Sequence, residues 1–215
     1  MARLPMFPLG NVLLPSVYLP LHVFEPRYRE LVQVCLDGEQ EFGVVLIERG
    51  QEVGGGDTRT TVGTVARIVE AAALDDGQWA LGTIGTRRIR VSTWLPDDPY
   101  PMADVDDWPE PEPPADLADR LTDVVRSLRR VLATRAELGE PTVPATIELA
   151  DDPVLASYQI AAVAPLGPAD QQALLEVPTA SARVDRLAVL LAEEQTYLAQ
   201  RLALETDGDE PPPRD

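Results

Sequence analysis

The sequence predicts an α+β chain, a small β-barrel followed by an α-helical bundle, and three observations carry that prediction. The residue pattern changes near residue 109: upstream the chain is rich in Val, Ile, Thr, Gly and Trp with two-residue alternation, and downstream it turns to Ala, Leu, Arg and Glu at helical spacing. The two parts meet at WPEPEPPAD, residues 108–116, whose four prolines favour a stiff, extended connector. Five or six short strands with one helix upstream suit a small barrel or a pair of packed sheets. The expected layout is a barrel over 1–108, a linker over 109–116, a bundle over 117–204 and a disordered acidic tail over 205–215. The tail's TDGDEPPPRD has too few apolar residues to fold.

In VYLPLHVF, residues 17–24, Val17, Leu19, Leu21 and Val23 alternate with Tyr18, Pro20, His22 and Phe24. Both sets are largely apolar, which predicts a strand covered on both faces. EPRYRELVQVCLDG reads as a helix that Pro26 opens and Gly38 ends, with Tyr28, Leu31, Val32 and Cys35 or Leu36 at helical spacing. FGVVLIE (42–48) is a strand, and QEVGGGDTRT a flexible loop. Its GGG triplet at 54–56 lacks the spacing and the following helix that a phosphate loop needs. VGTVARIVEAAAL (62–74) and WALGTIGTRRIRVSTW (79–94) flank a DDGQ turn and predict a hairpin, with a last strand around 100–108. Downstream, Leu117, Leu121, Val124, Leu128 and Val131 form one apolar helical stripe. Asp152–Pro153 and Gly167–Pro168 are helix starts, and Thr179 caps a final helix with Val184, Leu187, Leu191, Leu198 and Leu202 facing inward.

Composition narrows the function. The net charge is −18, and the acid excess is shared equally by the two halves of the chain. A nucleic-acid partner needs surplus cations to displace phosphate counterions, so none is expected. The chain has no lysine, and all 18 basic residues are arginine. That excludes a P-loop, a Schiff base and a Ser–Lys dyad within it, because arginine does not deprotonate at cellular pH. Cys35 is the single cysteine and His22 the single histidine. No disulfide, multi-cysteine zinc site or cofactor is therefore expected. With no long apolar run, no membrane partner is expected either, and the location predicted is cytoplasmic.

Two clusters are candidate sites. LPLHVFEPRYREL gathers His22, Glu25, Pro26, Arg27 and Tyr28. His22 and Glu25 lie three residues apart and would point to opposite faces of a strand. A structural corner, strand into helix, is the better reading of these five residues. TRRIRVSTW concentrates Arg87, Arg88 and Arg90 beside Trp94. Arg87, Arg88 and Trp94 could receive a carboxylate or an acidic peptide, against the alternative that the arginines neutralise neighbouring acids.

These residues also carry a resemblance. LPMFPLGNVLLPSVYLPLHVFEPRYRELV followed by VGTVARIVEAAALDDGQWALGTIGTRRIRV resembles the N-terminal substrate-binding domain of the Lon protease family. The matching motifs are Leu4–Leu9, with Met6 in the family's Leu position, Phe24–Tyr28, Gly63–Ile68 and Gly85–Arg88. The segment from DDPVLASYQ to VDRLAVLL is similar to the helices that follow that barrel. The resemblance implies a PUA-like β-barrel and a stand-alone, non-enzymatic module without the ATPase and protease domains. Its expected partners are unfolded or peptide segments of client proteins, together with a protease or chaperone system. The competing expectation is a small-molecule sensor or enzyme with a pocket in the barrel.

Overall fold

The computed structural model describes residues 2–50 and 56–208, with side chains through Leu204. Residues 51–55, half of the predicted glycine-rich loop, and residues 209–215 of the predicted tail lie outside the described residues. In chain order the elements are β1 (Ala2–Leu9), β2 (Tyr18–Val23), α1 (Pro26–Asp37), β3 (Glu41–Arg49), β4 (Thr58–Ala73), β5 (Trp79–Trp94), β6 (Met102–Asp107), α2 (Leu117–Glu137), α3 (Pro153–Val163), α4 (Pro168–Glu176) and α5 (Ala180–Gly208). The strands run β2-β5-β4-β3-β1-β6, and β6 also pairs with β5. That last pairing closes β1, β3, β4, β5 and β6 into the barrel and leaves β2 laid along the first half of β5.

β1 has no counterpart in the predicted elements, because Pro5 and Pro8 argue against a strand. Tertiary pairing accommodates both. Ala2–Pro5 pair with β6 alone and Met6–Leu9 with β3 alone, so each half has one side on which no ladder donor is required. α1 agrees with its sequence signals: Pro26 occupies the first turn, and Tyr28, Leu31, Val32 and Cys35 are buried. Leu4, Met6, Val45, Val65, Ile89, Ala103 and Val105 pack together in one core cluster. Phe7, Val23, Tyr28, Leu31, Phe42 and Leu81 form a second core with α1. Each large side chain so buried contributes about 1.5–3 kcal/mol.

Contacts divide the chain into two compact units. One is Met1–Pro111 with Gly167–Pro178; the other is Glu112–Leu166 with Thr179–Asp215. α4 therefore groups with the sheet, although the sequence pattern had grouped it with the bundle. The reason is specific side-chain chemistry. Gln172 Nε2 donates to the Val62 carbonyl at 3.1 Å, and Arg88 of β5 donates to the carbonyls of Leu175 (2.9 Å) and Val177 (2.7 Å), at the helix C-terminus. A cation suits that end of a helix, where carbonyls lack intrahelical partners.

The other unit is built from α2, α3 and α5. The predicted stripe Leu117, Leu121, Val124, Leu128 and Val131 is buried along α2. Asp152 caps α3 by accepting from Leu155 N–H at 2.8 Å, and Thr179 Oγ1 accepts from Ala182 N–H at 3.1 Å to start α5. Arg183 is wholly buried, and its guanidinium donates to Ser157 Oγ and Tyr158 Oη.

Candidate functional site

The site begins with the excess length of β4 and β5, sixteen residues each. The β3–β4 ladder ends at Glu41↔Arg67, and beyond Ile68, whose N–H donates to the Gln40 carbonyl, β4 has only β5 beside it. Val69–Ala73 of β4, Trp79–Ile84 of β5 and β2 thus form a three-stranded arm. On the inner face of the arm, Val23, Ile68 and Leu81 are buried. The outer face is uncovered, which corrects the expectation of a strand covered on both sides. Tyr18 is 53% exposed and Phe24 49%, and Ile84 and Val69 are also exposed.

Cross-strand register explains the shape of this face. Pro20 lies opposite Gly82, and His22 opposite Ala80 on β5; Ala72 lies opposite Ala80 from the β4 side. Small residues in the middle strands flanked by Tyr18, Pro20 and His22 leave a groove of about 520 Å³, lined also by Leu21, Glu70 and Ala71. A Cβ at position 82 would come within 2.5 Å of Tyr18 Oη, so the ring rests over the glycine. A larger cleft of about 750 Å³ lies elsewhere on this unit, between the open ends of β3 and β4 and the first turns of α4. Its Glu48, Arg49, Thr58, Thr60 and Glu176 mix both charges with hydroxyls and single out no ligand chemistry.

The five residues of the predicted corner divide. Pro26 opens α1, Glu25 accepts Tyr28 and Arg29 N–H on its backbone carbonyl, and the Glu25 carboxylate pairs with Arg27 at 3.1 Å. Arg27 lies over the Tyr28 ring, which stacks on Phe7 at 4.2 Å. Burial pushes the Tyr28 hydroxyl up to about 12. His22 differs: it is exposed on the outer face, 6.1 Å from the Phe24 ring, and lines the groove.

Arg87, Arg88 and Trp94 are not brought together. The Arg88 side chain is 1% exposed, pairs with Glu110 at 3.0 Å and lies over Trp108 at 4.3 Å, so it presents no surface to a ligand. Arg87 bridges Glu41 (2.7 Å) and Asp107 (2.9 Å), and Trp94 lies under Arg59 instead. Burial opposes ionisation of Glu41, but hydrogen bonds from Arg87 and Arg67 outweigh it and hold the carboxyl below its ordinary value. Cys35 is buried, donates to the Glu41 carbonyl at 3.3 Å, and has its thiol pushed up to about 12 by burial. A protonated, enclosed thiol is a poor nucleophile. Among the described residues no group of His, Cys, Asp and Glu is placed to hold a metal, and no helix is long and apolar enough to cross a membrane.

Fold and surface together define an α+β module: a closed barrel carrying an uncovered apolar arm. The chain belongs to the ATP-dependent protease La (LON) substrate-binding domain family, whose model matches residues 3–193. It is 29% identical over 197 residues to Lon protease 2 of Herpetosiphon aurantiacus, covering 89% of this chain and 24% of that protein. It is 26% identical over 198 residues to the Lon protease of Escherichia coli, covering 89% of this chain and 25% of the relative. The chain thus spans about a quarter of the length of these curated relatives. Among solved structures, the Lon N-terminal domain protein from Xanthomonas campestris superposes with a TM-score of 0.61 at 26% identity, covering 88% of this chain and 98% of that one. The N-terminal domain of Mycobacterium avium complex Lon protease shares the fold, with a TM-score of 0.64 at 18% identity over 91% of this chain and 98% of the other.

The matched motifs now have physical explanations. Cβ atoms at Gly63 and Gly85 would each lie 2.2 Å from a backbone carbonyl oxygen, of Val44 and Leu14 respectively, so only glycine fits. Arg67 pairs with Glu41 at 2.7 Å, and Arg88 fastens α4.

Proposed function

We propose that this chain is a non-enzymatic polypeptide-binding module that holds apolar segments of unfolded client proteins on the outer face of the β2–β5–β4 arm. It would act beside a protease or chaperone system. The observation that carries this reading is half-exposed Tyr18 lining a groove floored by Gly82, Ala80 and Ala72, with half-exposed Phe24 beside the groove residue His22. Apolar area left contiguous and uncovered beside a packed core is a mark of a binding face. Membership of a substrate-binding domain family supports it. The competing small-molecule reading placed a pocket in the barrel. Met6, Val45, Val65 and Ile89 are nearly inaccessible there and pack against one another, which favours the surface reading.

The test is binding of a permanently unfolded protein, reduced and carboxymethylated lactalbumin, measured by fluorescence anisotropy. Tyr18→Ser and Phe24→Ser each remove an exposed ring, so they should weaken binding about tenfold while leaving the melting temperature unchanged. Binding that survives the double substitution would sink the assignment of this face.

A further inference from the structure

The arm has two edges, and they are built differently. On the β2 side, Gly85 N–H donates to the Val17 carbonyl, and the register continues Tyr18↔Ile84 to Val23↔Trp79. Antiparallel strands alternate the direction of their amide groups every residue. Leu19, Leu21 and Val23 therefore bond β5, while Tyr18, Pro20 and His22 turn their backbone groups to the outer edge. Pro20 has no N–H, so the middle position of this edge offers no donor, a common protection against unwanted strand pairing.

On the β4 side, Leu74 N–H donates to the Gln78 carbonyl, and the register continues Ala73↔Trp79, Ala72↔Ala80 and Ala71↔Leu81. The same alternation makes Ala72 bond β5 and turns both N–H and C=O of Ala71 and Ala73 outward. No strand among the described residues lies beyond them. Residues 69–77 are all exposed, and no proline or bulky side chain guards Ala71–Ala73. Arg29 of α1 steadies the hairpin by donating to the Gly77 carbonyl at 3.3 Å.

We propose that an extended client segment adds to the β4 edge as a further strand, bonding the amides of Ala71 and Ala73. This rests on the polypeptide-binding reading above and specifies how the backbone is held. Only an extended chain presents donors and acceptors at the two-residue period of this edge. Alternate side chains of the added strand continue the apolar floor of Ala72, Ala80 and Gly82. The edge is flanked by exposed Glu70, Asp75 and Asp76, which selects segments with lysine or arginine beside the apolar stretch. A second copy of this chain is the less suited occupant, since two chains of net charge −18 repel.

The probe is a fluorescein-labelled peptide of alternating valine and threonine with lysines at both ends, compared with the same peptide N-methylated at the amides on one edge. Methylation keeps the side chains and removes the donors, so it should weaken binding to the unaltered chain about tenfold. Ala71→Pro removes a donor that β5 does not use and should weaken the parent peptide at least about fivefold. Undiminished binding after both changes overturns strand addition. If lactalbumin still binds in a Tyr18-dependent way in that case, the groove reading stands alone. Sedimentation velocity supplies the remaining outcome: a dimer abolished by Ala71→Pro would make a second copy the occupant and overturn the client assignment.

Discussion

Arg88 provides the sharpest test of the structure, because its sequence context suggested a ligand anchor and its geometry assigns it to holding the fold together. Consider Arg88→Met, which keeps much of the stem and removes the guanidinium. Lost are two hydrogen bonds to the α4 carbonyls of Leu175 and Val177, the 3.0 Å pair with Glu110 and the contact with Trp108. Hydrogen bonds from a charged donor contribute about 1.5–3 kcal/mol each, and breaking a buried pair by removing one partner costs about 3–5 kcal/mol. These terms overlap, so about 3–5 kcal/mol is expected for the substitution as a whole. For a chain of this size that lowers the melting temperature by about 6–20 °C. Hydrogen exchange should locate the loss: amides of residues 168–177 lose protection ahead of the sheet, because α4 is the element released. Glu110→Gln in the Arg88→Met background should cost little more, since the pair is already broken. A loss of less than about 1 kcal/mol would refute the clasp, as would unchanged stability with abolished peptide binding, which would restore Arg88 as an anchor.

Three further outcomes follow from the geometry. Glu41 has a lowered pKa in the folded state, so its contribution is present above the unfolded value near about 4.3 and is lost as pH falls through the folded value. The melting temperature should therefore fall on acidification below about pH 4.3, and Glu41→Gln should flatten that limb while costing about 1–3 kcal/mol at neutral pH; an identical acid limb in the variant would exclude the assignment. Gly85→Ala forces a Cβ to within 2.2 Å of the Leu14 carbonyl oxygen, and urea unfolding should show a loss of about 1–3 kcal/mol, against a change near zero if the strand can shift. Cys35 should resist Ellman's reagent in the native chain and react once urea unfolds it, because burial both encloses the thiol and keeps it protonated; rapid native labelling would contradict the placement of α1.

Much of the fold was legible in local signals. Pro26 at a helix start, the Asp-Asp-Gly turn and the Leu117–Val131 stripe act through rules that span a few residues, and the corresponding elements are where those rules place them. β1 escaped because proline is read locally as a strand breaker, whereas its tolerance depends on which side of the strand has a neighbour. α4 was recognised as a helix but grouped with the wrong neighbours: nothing in PADQQALLE announces that its C-terminal carbonyls meet an arginine some ninety positions earlier.

The candidate site was less legible, and for a definite reason. Alternation in VYLPLHVF shows that Tyr18, Pro20, His22 and Phe24 share a face, and it cannot show whether anything covers that face. Residue order by itself determined the barrel-then-helices order of elements, the absence of lysine chemistry and the family motifs, since these depend on composition and short-range spacing. Only tertiary structure decided that Arg88 is buried, that His22 is exposed, and that one edge of the arm is closed by Pro20 while the other presents Ala71 and Ala73. Exposure and pairing are properties of what lies across a gap in space, and no interval along the chain encodes them.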